Sequence, residues 1–396
     1  MSRQVLCGSP RRQSGIVLIL AMLIVVLVTS LVIATSWRFE LGMSRNENRW
    51  HGLQGRMVLE GGERLAAKLL LIEDINDPTD DGQADHLNEI WNAPQTVPID
   101  GGAITVELED AQSRFNINLL ALPKPAIGNG GGKGNENNGN ENKGGANQPV
   151  GGNPQEALRC KNDPELFDCK YTVAQRRFIR FLQTLPLNEQ DLTPDEAIAL
   201  TQAIIDWVDV DNEPSGFGGA EQSYYSGSEV PIVVSNAPMT TISELSLVKG
   251  ITPELYDKLL PYVIALPANG DKAAFLNINT IPDVMFRMFN AKDLPEPLDP
   301  DIGSQLARAR NEKADPNFAP GQGYQDVNEF VNDAVIADLQ IVTDANNFDS
   351  TQLVISTNYF IYSADVMIGD KTRHGKSLLR RDNTNVTTLW RTDANF

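Results

Sequence analysis

The chain has 396 residues and carries 33 Lys and Arg against 52 Asp and Glu, a formal charge of −19 at pH 7. That balance excludes broad electrostatic binding to nucleic acid, which needs a positive surface to displace counterions, and suits cation binding or a basic partner. A mean hydropathy of −0.26 excludes a polytopic membrane protein, and three Cys with three His leave little for a zinc cluster or a cysteine redox centre.

Residues 1–15 hold Arg3, Arg11 and Arg12 and no acid, and residues 16–34 are apolar except for Thr29 and Ser30. At 1.5 Å per residue the apolar stretch spans roughly 28 Å, about one hydrocarbon core. The arginines ahead of it stay cytoplasmic and send the rest of the chain to the other side. A cleaved signal peptide is the alternative, with Ala34-Thr35-Ser36 imitating a cleavage site behind the apolar run.

Helical patterning continues from Gly42 to Ile72, with Leu53, Met57, Leu65, Leu69 and Ile72 expected on one packed face. Gly61-Gly62 weakens that helix by about 1 kcal/mol per glycine, and Asp77-Pro78 reads as its stop. Residues 102–109 alternate apolar and polar side chains and read as a strand, as do 354–366 and 386–391. A sheet built from them is interrupted by an insertion of more than 200 residues.

Residues 128–153 are rich in Gly and Asn and nearly devoid of apolar side chains, so they cannot offset their ordering entropy and read as a disordered loop. No strand leads into it and no Gly-Lys-Ser/Thr closes it, which excludes a phosphate loop. Cys160 and Cys169 follow. In an oxidising compartment a bridge between them contributes about 2–3 kcal/mol; two free buried thiols are the alternative. Cys7 lies ahead of the apolar stretch.

Between 171 and 340 the pattern is mostly helical. Thr193-Pro194-Asp195-Glu196 combines an N-cap, a proline at the first helical position and a capping-box glutamate ahead of an apolar helix. Ser243-Glu244-Leu245 and Thr252-Pro253-Glu254 start two short helices joined by Lys249-Gly250-Ile251. FNINLL at 115–120 echoes LNINTI at 276–281, suggesting two related helical modules. The 243–266 hairpin resembles helix-hairpin-helix modules, some of which bind DNA. Its Lys249 and Lys258 stand against Glu244, Glu254 and Asp257, so a packing unit is the better reading.

Asp206, Asp209, Asp211, Glu213 and Glu221 crowd five carboxylates into 16 residues, with glycines between. A hard divalent cation relieves such repulsion, and Ca²⁺ takes six to eight oxygens from flexible loops. Asp209, Asp211 and Glu213 imitate the start of an EF-hand, but Pro214 stands where glycine is needed and Ala220 where glutamate is needed. A calcium loop of another kind and a solvated acidic turn both fit the spacing. The three histidines His51, His86 and His374 are far apart in sequence and no nucleophile motif is present, so no enzyme is expected.

A short basic leader ending in Ser14-Gly15, with the apolar helix starting at Ile16, resembles a type IV pilin or pseudopilin precursor. That resemblance implies cleavage between Gly15 and Ile16 by prepilin peptidase and methylation of the new amino terminus. Most members start the mature chain with Phe and carry a glutamate at the fifth position, where this chain has Leu20. Within the family, that absence points to the minor subunit at the filament tip.

More specifically, Asp209-x-Asp211-x-Glu213-Pro214, Gly219-Ala220-Glu221, Tyr224-Tyr225, Asn236-Ala237-Pro238 and Ser243-Glu244-Leu245 resemble the type II secretion minor pseudopilin K family. So do Gly61-Gly62-Glu63-Arg64, FNINL at 115–119 and Ser356-Thr357-Asn358-Tyr359-Phe360. The resemblance implies an α+β fold: a pilin-like head, with a long N-terminal helix on a small antiparallel sheet, and a large inserted helical domain with helix-hairpin-helix or SAM-like modules. The expected division is leader 1–15, transmembrane helix 16–36, head 37–122 and 342–396, Gly/Asn loop 123–159 and insert 160–341.

It further implies calcium on Asp209, Asp211, Glu213 and Glu221, with Asp206 capping or pairing locally instead. Expected partners are the minor pseudopilins I and J, the major pseudopilin filament, the inner membrane and prepilin peptidase, with no nucleic acid. The expected location is the inner membrane of a Gram-negative cell, crossed once, with the C-terminal part in the periplasm. A minor pilin of a type IV pilus and a membrane-tethered nucleic-acid receptor are the alternatives.

Overall fold

The computed structural model describes residues 14–76, 84–123, 154–187, 190–227, 231–268, 273–313, 321, 323–338, 348–382 and 385–392. The 128–153 stretch, the leader before Ser14 and the Asp77-Pro78 stop lie outside them. In chain order the helices are α1 (Ser14–Asn76), α2 (Pro154–Asn162), α3 (Phe167–Lys170), α4 (Val173–Leu182), α5 (Pro194–Val208), α6 (Gln222–Tyr225), α7 (Pro253–Leu259), α8 (Pro300–Glu312), α9 (Val327–Val331) and α10 (Ala334–Asp338). The strands are β1 (Gln95–Ile99), β2 (Gly102–Asp110), β3 (Phe115–Asn116), β4 (Pro186–Leu187), β5 (Gln190–Asp191), β6 (Val263–Ile264), β7 (Leu276–Asn277), β8 (Leu353–Val354), β9 (Tyr359–Ile368), β10 (Lys371–Asp382) and β11 (Asn385–Thr392).

Helix α1 runs for 63 residues, about 95 Å. Its apolar first part is exposed throughout and reaches a mean hydropathy of 3.3 over 18 residues. The hydroxyls of Thr29, Ser30 and Thr35 donate back to the carbonyls of Val25, Leu27 and Leu31. The polar groups of this span therefore find partners within the helix, as a lipid environment requires.

The second part of α1 lies across a five-stranded antiparallel sheet of order β1-β2-β9-β10-β11. The face it buries is not the one expected. Leu53, Met57 and Leu65 are 60%, 73% and 63% exposed, whereas Gly62, Glu63, Ala66 and Leu70 are buried, with Val58, Leu59 and Leu69 partly so. Close approach decides the matter. A Cβ on Gly62 would lie 2.5 Å from Tyr362 Oη and 2.6 Å from Ile104 Cδ1, while Gly61 faces open space. Tyr362 Oη donates to the Leu59 carbonyl at 2.9 Å. Glu63 then accepts from Arg391 through Nε and Nη2, both at 2.7 Å, and from Ser377 and Thr388, both at 2.6 Å. Burial pushes the Glu63 carboxyl up, but Arg391 and the two hydroxyls outweigh it and hold it below its ordinary value.

Strand β9 is covered on both faces. Phe360, Tyr362, Ala364, Val366 and Ile368 pack with α1, Trp91 and Ile104, while Tyr359 and Ile361 pack with Ala111, Ile264, Leu266 and Ala274 on the other side. Two strands of the five-stranded sheet escaped the sequence reading, β1 and β10, as did the two-residue strands β3 to β7, and residues 354–366 divide into β8 and β9 around Ser356–Asn358. The KTRHGKSLLRRD text of β10 lacks alternation because its first half is exposed and only Ser377, Leu378 and Leu379 are buried.

The helical body forms one large core that includes Phe178, Phe181, Trp207, Leu245, Leu259 and Phe286. Phe115, Ile117, Leu119 and Leu120, expected in the head, belong to that core, as do Phe348 and Leu353. The insertion therefore begins just after β2 and returns just before β9. Cys160 and Cys169 are joined by a disulfide with Cα atoms 5.2 Å apart.

The two Asn-Ile-Asn echoes occupy matching positions. β3 pairs in parallel with β6, and β7 with β8. The first asparagine of each accepts from the backbone of the second, Asn118 N to Asn116 at 3.2 Å and Asn279 N to Asn277 at 3.0 Å. Each second asparagine then clamps a distant residue in both directions. Asn118 donates to Met239 O and accepts from Met239 N, and Asn279 does the same with Tyr324.

Head and body meet at Asp110, the last residue of β2, which is 2% exposed. Its Oδ1 accepts from Gln112 N at 2.6 Å; its Oδ2 accepts from Thr280 Oγ1 at 2.5 Å, Thr357 Oγ1 at 2.5 Å and Asn277 Nδ2 at 3.0 Å. Beside it, Asp85 pairs with Arg381 at 2.6 Å and accepts from Thr357 N. Burial, with repulsion from Asp85, lifts Asp110 to about 6 despite these donors.

Gly61→Ala should gain roughly 0.5–1 kcal/mol and Gly62→Ala should lose about 1–3 kcal/mol, read by urea unfolding of the detergent-solubilised chain. Equal effects at the two positions would contradict the close-approach argument. Asp110→Asn turns an amide toward three donors and should cost about 1–3 kcal/mol. Because the Asp110 carboxyl is raised on folding, the folded state binds more protons between about 4 and 6. The parent chain should therefore lose stability as pH rises through that window, and Asp110→Asn should flatten the slope.

Candidate functional site

The acidic segment is organised by the helix that precedes it. A capping box starts α5, with Thr193 N donating to Glu196 Oε2 at 2.9 Å and Glu196 N to Thr193 Oγ1 at 3.4 Å. Near its other end, Asp206 is fully buried and accepts from Ser215 N at 2.8 Å and Ala220 N at 2.7 Å. One turn earlier, Gln202 Oε1 accepts from Gly218 N at 2.9 Å. A Cβ on Gly219 would sit 2.3 Å from Asp206 Oδ2, so the loop can fold this tightly only around glycine. Asp206 is a loop-folding residue, in line with the local capping expected of it.

The return brings Asp209, Asp211 and Glu221 together, with one oxygen from each inside a mutual 4.8 Å. Glu213 is not among them. It is exposed, and its backbone N–H donates to Asp211 Oδ1 at 2.8 Å. Glu221 is 4% exposed. Neither of its carboxylate oxygens, nor Asp209 Oδ1, has a well-aligned hydrogen-bond donor among the described residues; the Gln222 N–H relieves Glu221, and the Asp211 N–H relieves Asp209, only weakly. Burial, then the neighbouring acids, lift Asp209 to about 6 and Glu221 to about 7.

A neighbour of this cluster was missed in the sequence. Asn236, held at φ 43, donates to Asp211 O at 2.9 Å and Asn212 Oδ1 at 3.1 Å. Its own buried Oδ1 has no donor among the described residues. The Asn236-Ala237-Pro238 text marks a turn, but its 25-residue separation from Asp211 hides the contact.

Such a set of oxygens could hold a hard cation: acceptors that repel one another, running from the exposed Asp211 to the buried Glu221. The orphaned oxygens of Asp209 and Glu221 are the ones a divalent ion would engage.

Lys249 of the hairpin serves this loop. Its Nζ donates to Gly218 O and Gly219 O, both at 3.1 Å, and its N–H donates to Tyr225 Oη at 2.9 Å. Lys258 bonds Glu254 at 3.1 Å and the Pro186 carbonyl. His51 and His374 share a cleft of about 670 Å³ with Lys371 and Arg373, and His374 pairs with Asp365.

A family model described as type II secretion system, protein K, matches residues 113–268, the stretch holding the first Asn-Ile-Asn clamp and the acidic loop. The chain is 30% identical to the type II secretion system protein K of Aeromonas hydrophila over 274 residues, 69% of each chain. It is 26% identical to that of Pectobacterium carotovorum subsp. carotovorum over 381 residues, 96% of each. Its fold matches a chain in the crystal structure of the GspK-GspI-GspJ complex of enterotoxigenic Escherichia coli, with a TM-score of 0.62 at 23% identity, over 88% of this chain and 98% of that one. With an exposed apolar helix, a small antiparallel sheet and a helical insertion in this order, the chain belongs to the type II secretion system protein K family.

Proposed function

We propose that the chain works as a non-catalytic minor pseudopilin, capping a short pseudopilus of the type II secretion system and supporting export of folded proteins. The observation that carries this reading is α1: an apolar stretch exposed along its whole length, continuous with a rigid rod clamped to the head by Glu63 and Arg391. A helix of this kind is inserted in lipid or packed among other apolar helices. On this reading α1 is held in the inner membrane before assembly, and the rest of the chain lies in the periplasm. Prepilin peptidase frees Ile16 and the new amino terminus is methylated.

Bulk supports the tip position. Residues 111–358 lie between β2 and β9 and would obstruct side-by-side stacking along a shaft, whereas an end position accommodates them. Leu20 adds to this, because a cap receives no subunit above it whose terminal ammonium would need a carboxylate. Minor pseudopilins I and J are the proposed partners, with the major pseudopilin filament below.

Calcium is the proposed structural ion. Asp209, Asp211, Glu221 and the Asn236 side-chain oxygen would hold it. Bound there, it would neutralise the repelling acids and fix the loop between α5 and α6.

N-terminal sequencing of the mature protein should return Ile16, whereas a start near Trp37 would indicate ordinary secretion. Crosslinked particles should show one copy at a filament end, and repetition along the shaft would contradict capping. Chelation should lower the melting temperature by roughly 3 °C relative to calcium at about 100 times its Kd. Asp209→Ala and Glu221→Gln should abolish the response and Glu213→Ala should keep it. A melting curve indifferent to chelator would remove the ion from this reading.

A further inference from the structure

A second charged interior lies along α4, and the charge lining it is in positive excess. Arg176, Arg177 and Arg180 of α4 are 5%, 4% and 3% exposed. With Lys292 and Asp349 they line a cavity whose interior leaves about 10 Å³ for the centre of a water-sized particle. That is room for one small occupant.

The hydrogen bonds here do not balance the charge. Arg176 pairs with Asp349 at 2.9 Å. Arg177 donates to Thr351 O at 2.8 Å and Asp349 O at 2.6 Å, using two of its five N–H groups. Arg180 donates to Leu294 O, Met288 O and Ala291 O. Carbonyl oxygens satisfy donors but carry no net charge. Asp293 and Glu296 attract Arg180 from the exposed surface. Burial and the neighbouring guanidiniums push Arg177 down to about 10 and Arg180 to about 9, which leaves both protonated at neutral pH. Among the described residues lining this interior, Asp349 is the one carboxylate and is shared by Arg176 and Arg177; three guanidiniums around one carboxylate are costly when buried, and arginine cannot shed its proton to relieve them.

We propose that this cavity binds a monatomic anion, chloride under ordinary conditions, held between Arg177 and Arg180. Room for one small occupant favours a monatomic ion over phosphate or a carboxylate. The ion would lock α4 to the 286–296 segment and to residues 348–351, where the chain returns toward the head.

The test uses the full-length chain in detergent at fixed pH and ionic strength, exchanging sodium gluconate for sodium chloride or bromide. The melting temperature should rise saturably by roughly 2–4 °C with either halide. Arg177→Gln should lose that dependence while keeping its circular dichroism. Should that variant fail to fold, bromide-soaked crystals of the parent chain decide, with an anomalous peak expected between the two guanidiniums. Identical melting in gluconate and chloride, a halide effect retained by Arg177→Gln, or bromide peaks confined to the surface would overturn the site.

Discussion

The constraint on which the structure depends is the buried carboxylate of Asp110. A sheet whose strands β2 and β9 are separated by residues 111–358 must be closed by something that recognises both ends of the insertion. Asp110 does so by accepting from Gln112 behind it, Thr280 and Asn277 in the body, and Thr357 at the return. Loop closure of this length carries an entropic cost that local propensity cannot offset. Buried, well-directed hydrogen bonds to an acid supply the specificity, and the sandwiching of β9 between α1 and the body supplies the apolar area.

Seen from this junction, the molecule is a rod, a clamp and a body. The rod reaches the sheet through Gly62 and is pinned by Glu63, a buried acid held ionised by a bidentate guanidinium. The body repeats one device twice, an asparagine that clamps the backbone of a remote residue from both sides. Its two charged interiors differ in sign. Oxygens of Asp209 and Glu221 lack well-aligned donors among the described residues, and along α4 the guanidiniums lining the cavity outnumber carboxylates.

Periodicity and local chemistry in the sequence determined the apolar span, the capped helix α5, the strands β2 and β11, and the crowding of acids after Asp206. Each rests on neighbours within a few residues, where composition and spacing govern the backbone. Only the tertiary structure decided which face of α1 is buried, because glycine contributes no hydrophobic signal yet allows the closest approach. The same holds for β10, whose charged side chains conceal a central strand, for the exclusion of Glu213 from the acid cluster, and for the recruitment of Asn236. Those outcomes depend on contacts between residues far apart in sequence, and such contacts are set by packing geometry that no local pattern encodes.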